Sequence, residues 1–382
     1  MISIKKHTTK FEVDYCDKIW NRIWKKVNKE LYDFANVFPE ALVRGAINKT
    51  FFYDIIRLFV DDARNKYDSI DLYYSLTYIC CYDLQKNMKG NFPKCEYKNI
   101  RFSWYQKINK STVISSNSAI YMYKHSLNEK IICNSDNEWK KYVANIRPIY
   151  KRLYECVGKI FNYEEDLDSE MKADLVKDLE ISVCPYCNRQ YINFFIEGTR
   201  RRTIADIDHF LPKEYYTLWS DSLYNLIPSC KVCNTLFKWK RNINMFNPYQ
   251  RGYDDDAYFS VGYVNKLSLS DLLGWSNKDI KIELKISGDA EVNKKIEAES
   301  KLFRIEEVYD IHSSYVKNLL YKRAMIEKTI LEEMVAQVNI KTGENVITID
   351  DVRNVLYGMS LDNVDYNNIP LSKLTYDLLN KG

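Results

Sequence analysis

Four runs decide the reading of this chain. They are Cys184-Pro185-Tyr186-Cys187, Asp206-Ile207-Asp208-His209-Phe210-Leu211-Pro212, Leu223-Tyr224-Asn225-Leu226 and Cys230-Lys231-Val232-Cys233-Asn234. The two C-x-x-C pairs at the ends are separated by 42 residues. Two residues between cysteines let both thiolates turn onto one ion. Two such turns complete a tetrahedral four-thiolate site with Zn–S distances of about 2.3 Å. A closed site of this kind has no open coordination position, so the zinc expected on Cys184, Cys187, Cys230 and Cys233 is structural. A redox reading would need one pair beside a thioredoxin-like βαβ pattern, and neither pair has that setting.

Between the pairs, a strand ending in Asp206-Ile207-Asp208 puts both carboxylates on one face, because side chains alternate along a strand. His209 then projects to the other face unless the strand kinks. An imidazole with an ordinary pKa near ~6.5 is a competent general base at neutral pH. A hard cation on oxygen ligands neutralises charge at a phosphate and helps the departing oxygen.

The order D-H-x-x-P, then N-L, then C-x-x-C-N with a following lysine resembles the HNH, or ββα-metal, endonuclease family. The similarity is to the bacterial type in which two C-x-x-C pairs bracket the hairpin. It covers about residues 184–241; Asn247-Pro248-Tyr249 and Pro370-Leu371-Ser372-Lys373-Leu374 are also similar to such proteins. The first 165 or so residues resemble no family we can name.

The resemblance implies phosphodiester hydrolysis leaving 5′-phosphate and 3′-hydroxyl ends, with His209 as the base that activates water. It makes Asp208 a ligand of Mg²⁺ or Mn²⁺. Asn225 would orient the hairpin and the histidine through backbone hydrogen bonds. Asn234 stands where the family commonly has a metal-binding histidine, and its amide oxygen favours Mg²⁺ or Mn²⁺ over a transition metal. Asp206 is either a second carboxylate on that ion or a support for a backbone amide, and support is the favoured role. His7, His125 and His312 lack any such setting and read as structural or surface residues.

Nine basic residues against five acidic ones make the stretch 184–241 positive, as phosphate binding requires. Arg200, Arg201 and Arg202 follow Gly198 at an expected hairpin tip, where gripping a backbone and being a solvated turn are equal readings. Lys238, Lys240 and Arg241 follow the expected metal helix and read as phosphate contacts. Trp239 among them reads equally as a base-stacking or a core residue. The expected partner is nucleic acid, DNA ahead of RNA, without sequence specificity. The alternatives are a zinc-dependent module that binds without cutting, and an RNase or tRNA-cleaving toxin on the same scaffold. The zinc-bracketed type is also similar to effectors of anti-phage and restriction systems. That implies an ATPase partner, since this chain has no G-x-x-x-x-G-K-[ST] run.

The remainder bounds the class. With 382 residues, 46% hydrophobic and 28% charged, the chain suits two or three folded domains. A charge of +4 says little about partners. No run of about 18 apolar residues exists, so no membrane span is expected, and the leaderless start points to the cytoplasm. Cys16, Cys80, Cys81, Cys95, Cys133 and Cys156 share no spacing and read as buried thiols.

The expected class is α+β, a mostly helical chain around a central zinc-stapled ββα-metal module. Three parts are expected. Residues 1–165 form a helical domain with a small β region at about 95–134, residues 166–250 the metal module, and residues 251–382 a mainly helical region that packs on it. In the nuclease reading, the flanking helices are expected to act as a platform for control, targeting or oligomerisation. Apolar spacing predicts helices over about 13–38, 43–66, 70–88, 137–164, 167–180, 291–338, 349–358 and 370–380, with strands at about 257–264 and 279–287.

Overall fold

The computed structural model describes residues 1–37, 49–67, 155, 157–214, 216–241, 243–263, 280–326, 328–342 and 347–381. The expected helix at 70–88, the β region at 95–134 and most of the helix at 137–164 lie outside them. So do His125 and five of the unpaired cysteines; Cys16 is buried.

Helix α1 (Thr9–Val37) begins one turn earlier than its apolar stripe suggested. Asp178 accepts from the Thr8 amide at 3.0 Å and from its hydroxyl at 2.7 Å, which fixes the helix entry. Ile19, Trp20, Ile23 and Val27 are buried on one face, each contributing about 1.5–3 kcal/mol. Trp24, expected in that stripe, is 44% exposed and lies against Trp20 with ring centroids 5.0 Å apart. The segment expected as one helix over about 43–66 is two, α2 (Lys49–Arg57) and α3 (Val60–Tyr67). The chain turns between them so that Phe59 can stack on Tyr224.

A short α4 (Tyr163–Asp166) leads into α5 (Ser169–Leu179), whose Asp168 cap accepts from the Met171 amide at 2.9 Å. Arg22 and Lys26 of α1 reach the Asp166 carbonyl and carboxylate at 2.6 and 3.0 Å, so α1 is tied to this pair. Strands β1 (Phe194–Glu197) and β2 (Arg200–Thr203) form an antiparallel hairpin. Gly198 takes φ +63° at its turn, a value disfavoured for a side-chain-bearing residue.

Strand β3 (Asp206–His209) pairs antiparallel with β4 (Leu226–Ser229), placing Asp206 opposite Ser229 and His209 opposite Leu226. A π-helix, Val232–Lys238, follows directly. Beyond it, β5 (Ala257–Tyr263) and β6 (Ile280–Ile286) form a third antiparallel pair.

The long helix expected over 291–338 is four shorter ones: α6 (Ala290–Phe303), α7 (Ile305–Asp310), α8 (Ser313–Met325) and α9 (Lys328–Thr342). The first break falls at Arg304, in the left-handed region at φ +50°. That bend lets the flanking residues Phe303 and Ile305 both be buried. Helices α10 (Ile349–Tyr357) and α11 (Ser372–Asn380) complete the chain. Asp377 of α11 accepts the Phe259 amide at 2.9 Å, docking the helix on β5.

The architecture is α+β. One buried core runs from Met1 to Leu378 among the described residues and includes the four paired cysteines. No described helix is long and apolar enough to cross a membrane.

Candidate functional site

The four paired cysteines meet in the core. Their sulfurs lie within 4.8 Å of one another, and Cys187 and Cys230 are 4.0 Å apart. Tetrahedral thiolates at the Zn–S distance sit about 3.8 Å apart. All four are free thiols, so the cluster can hold one zinc ion with its sulfurs nearly in place. Each knuckle is a closed turn: the Asn188 amide donates to the Cys184 carbonyl at 2.8 Å and the Asn234 amide to the Cys230 carbonyl at 3.0 Å. The Cys233 amide also points at the Cys230 sulfur, 3.4 Å away. Hydrogen bonds from Cys184, Cys230 and Cys233 hold the Cys187 thiol well below its usual range, which favours a thiolate.

The first knuckle is clamped from the far end of the chain. Asn188 sits in the left-handed region at φ +47° and donates to the Tyr366 carbonyl at 2.9 Å. Its side-chain oxygen accepts the Lys373 amide at 3.0 Å, and its own carbonyl accepts the Leu371 amide at 2.7 Å. The sequence reading missed Asn188. Its position next to a metal cysteine was the available signal, but the partners lie some 180 residues away.

Strand β3 carries two different surroundings on its two faces. On one face Asp208 is buried against the zinc knuckle. Tyr186, from inside the first C-x-x-C, donates to its Oδ2 at 2.6 Å. Lys238 places its Nζ 3.0 Å from each Asp208 oxygen and donates to the His209 carbonyl at 2.5 Å. The side chains of Lys238 and Asp208 are 1% and 2% exposed. Lys238, expected to contact phosphate, therefore does not: its charge is spent inside the protein. Asp206, on the same face but nearer the surface, accepts from the Thr235 hydroxyl at 3.1 Å and from the Asn234 side-chain Nδ2 at 3.4 Å. That is a supporting role between strand and helix.

The other face presents His209. Its Nε2 lies 2.9 Å from the Ser220 carbonyl. A carbonyl only accepts, so Nε2 carries the proton and Nδ1 is left as an acceptor. The Tyr163 ring meets the imidazole edge-on at 4.5 Å, and Lys172 and Lys213 lie over that ring at 4.4 and 4.8 Å. Burial, then the charge of Lys213 and further that of Lys238 and Lys172, push the His209 pKa down to about 3, so the ring is neutral. Asn225 stands behind it, bonded to the Leu211 amide and carbonyl and to the Trp219 carbonyl at 2.7, 3.1 and 2.9 Å. These bonds fix the loop that leaves β3 and the turn that supplies Ser220.

The remaining basic residues are dispersed. Arg201 donates to Asp174 of α5 at 2.5 Å, Arg202 pairs with Glu197 at 3.2 Å, and Arg200 is exposed in the hairpin. Lys240 pairs with Glu214 at 3.1 Å, next to Lys213, and Arg241 is exposed. Trp239, at φ +41° and 59% exposed, stands out with Leu236 beside the same helix. Lys172, on α5, was outside the stretch the sequence singled out.

A divalent ion on Asp208 and Asn234 does not fit this arrangement. Asp208 already has a cation on both oxygens, and Asn234 is turned to Asp206. Among the described residues the cysteines are the only group of three or more His, Cys, Asp or Glu whose ligand atoms come within 4.8 Å of one another. Comparison with models of known families, with curated proteins and with solved structures found no match.

Proposed function

We propose that this chain is a zinc-stapled phosphodiesterase of the HNH type that cuts nucleic acid, with His209 as its general base. The observation that carries the reading is the His209–Ser220 bond. It leaves a neutral imidazole whose Nδ1 is an acceptor at the end of a strand. The succession β3, β4, helix and the clamp made by Asn225 support it.

Nδ1 takes a proton from water as the water attacks phosphorus; the P–O3′ bond breaks, and the departing oxygen takes a proton from solvent, leaving 5′-phosphate and 3′-hydroxyl ends. A base held down to about 3 is weak at rest. Lys172 and Lys213 lie over the Tyr163 ring beside the imidazole and would attract a phosphate, in competition with Glu164, which already pairs with Lys213. Its negative charge would offset theirs and raise the imidazole pKa in part, while burial, the larger cause, would persist. Zinc, bound by the four cysteines, shapes the scaffold and supplies no chemistry. No step is routed through a second ion.

The deciding experiment incubates the protein and its His209→Ala variant with plasmid, single-stranded DNA and RNA, each with Mg²⁺, Mn²⁺ or EDTA. Cleavage by the wild type alone is expected, with DNA the preferred polymer. Equal cleavage by the variant would sink the base assignment. The internal pairing of Asp208 with Lys238 favours a second reading, a module that binds nucleic acid without cutting it. Retained binding with no cleavage in any arm would select it.

A further inference from the structure

A fully buried lysine is rare, and it persists only where its charge is matched. Lys238 has three donors and three oxygens within 3.0 Å: both of Asp208 and the carbonyl of His209. Tyr186 completes the surroundings of Asp208 by donating to Oδ2. We infer that Lys238 is the resident cation of this site: it occupies Asp208 in place of a divalent metal ion, and the two are mutually exclusive there.

The physical case has three parts. An ammonium and a divalent ion on one carboxylate would sit a few ångströms apart in a water-poor interior, where repulsion between them is little screened. Tyr186 and Lys238 leave Asp208 one acceptor site, on Oδ1, and that oxygen lies 3.0 Å from the ammonium. Lys238 is the last residue of the π-helix, and the Trp239 amide closes that turn on the Asn234 carbonyl at 2.6 Å. Moving the ammonium away from Asp208 breaks its three contacts and leaves a buried carboxylate to be matched by another cation. Until then the ammonium holds the His209 carbonyl, and so positions the strand end that carries the imidazole. Lys238 is a positioning residue that reads through Asp208 and the backbone and does not touch substrate.

This deepens the phosphodiesterase reading and rests on it for its bearing on cleavage. Metal binding is read without substrate, so the result stands apart from any failure to cut. The test titrates Mn²⁺ into the full-length, zinc-loaded protein and follows free Mn²⁺ by electron paramagnetic resonance. Wild type, Lys238→Met, Tyr186→Phe and the double variant Lys238→Met with Asp208→Asn are compared. Lys238→Met is expected to bind Mn²⁺ at least tenfold more tightly than wild type. Tyr186→Phe should stay within about twofold, and the gain should vanish in the double variant.

A folded Lys238→Met that binds no more tightly, or whose gain survives Asp208→Asn, overturns the proposal. A Tyr186→Phe gain equal to that of Lys238→Met also overturns it, because general loosening then explains both. If Lys238→Met does not fold, wild-type protein decides by amine labelling read by mass spectrometry. Lys238 should resist labelling while exposed lysines such as Lys231 react. Labelling of Lys238 at the surface rate in metal-free buffer, or saturable Mn²⁺ binding at Asp208 that leaves it protected, overturns the proposal.

Discussion

Asn225 grips Leu211 by both of its backbone groups, accepting its amide at 2.7 Å and donating to its carbonyl at 3.1 Å. A side-chain amide here completes the backbone pairing that the β3–β4 ladder no longer supplies. It also holds Trp219, so that Ser220 meets His209. Asn225→Ala removes the side-chain partner of the Leu211 amide and carbonyl and leaves the Trp219 carbonyl only the Ser222 amide at 3.2 Å, and is expected to cost about 3 kcal/mol of stability. Chemical denaturation checks this. Asn225→Asp, which keeps one acceptor and loses both donors, should fall between wild type and alanine. An alanine variant as stable as wild type would show that the loop is held by something else.

The cysteine cluster gives a metal prediction. Purified protein should hold about one zinc per chain, and Cys184→Ser should lose most of it. Because the four cysteines belong to the main core, zinc removal by a strong chelator should lower the melting temperature of the whole chain. A chain that melts identically with and without chelator would remove zinc from the account.

Acid should weaken the fold. The pKa of His209 is about 3 in the folded chain and near ~6.5 when unfolded, so between those values the unfolded state binds the extra proton. Stability from this group is fully present above about pH 6.5 and falls as pH drops toward 3. The slope is at most about 1.4 kcal/mol per pH unit. His7 adds in the same direction: burial lowers its pKa against the pull of Asp178. Urea unfolding at pH 7, 6 and 5 should show the decline, and His209→Gln should flatten it. An unchanged slope in that variant would mean that other groups carry the acid sensitivity.

Trp239 separates binding from folding. With 59% of its surface exposed, Trp239→Ala should change stability by no more than about 0.5 kcal/mol. If the indole stacks on a base, single-stranded oligonucleotide affinity should drop by about 1–3 kcal/mol, read by fluorescence anisotropy. Trp239→Phe should recover part of it. Unchanged affinity would assign the ring to packing by a partner surface instead.

How much of this was legible beforehand follows from how local each signal is. The cysteine pairs and the β3 carboxylates on one face with His209 on the other were readable because spacing sets them, whereas the clamp by Asn225 was expected only from the resemblance to HNH proteins. Two helix boundaries failed for a tertiary reason. Apolar periodicity runs straight through Arg304 and through Leu58–Phe59, while the bends there exist to bury Phe303 with Ile305 and to stack Phe59 on Tyr224. Lys238 failed more instructively. A lysine after a metal helix looks like a phosphate contact, and nothing in its neighbours reveals that the π-turn directs it inward onto Asp208. Tyr186 and Lys172 were silent for the same reason, since their partners come from elsewhere in the chain.

The clamp on Asn188 has a consequence for how the molecule comes into being. Residues 366–373 supply the partners of the turn that closes the first cysteine pair. The first cysteine pair leaves the ribosome some 180 residues ahead of these partners, so its turn stays half-braced until residues 366–373 have been made. A chain that stops short of Tyr366 lacks all of them and cannot close the first pair in this way.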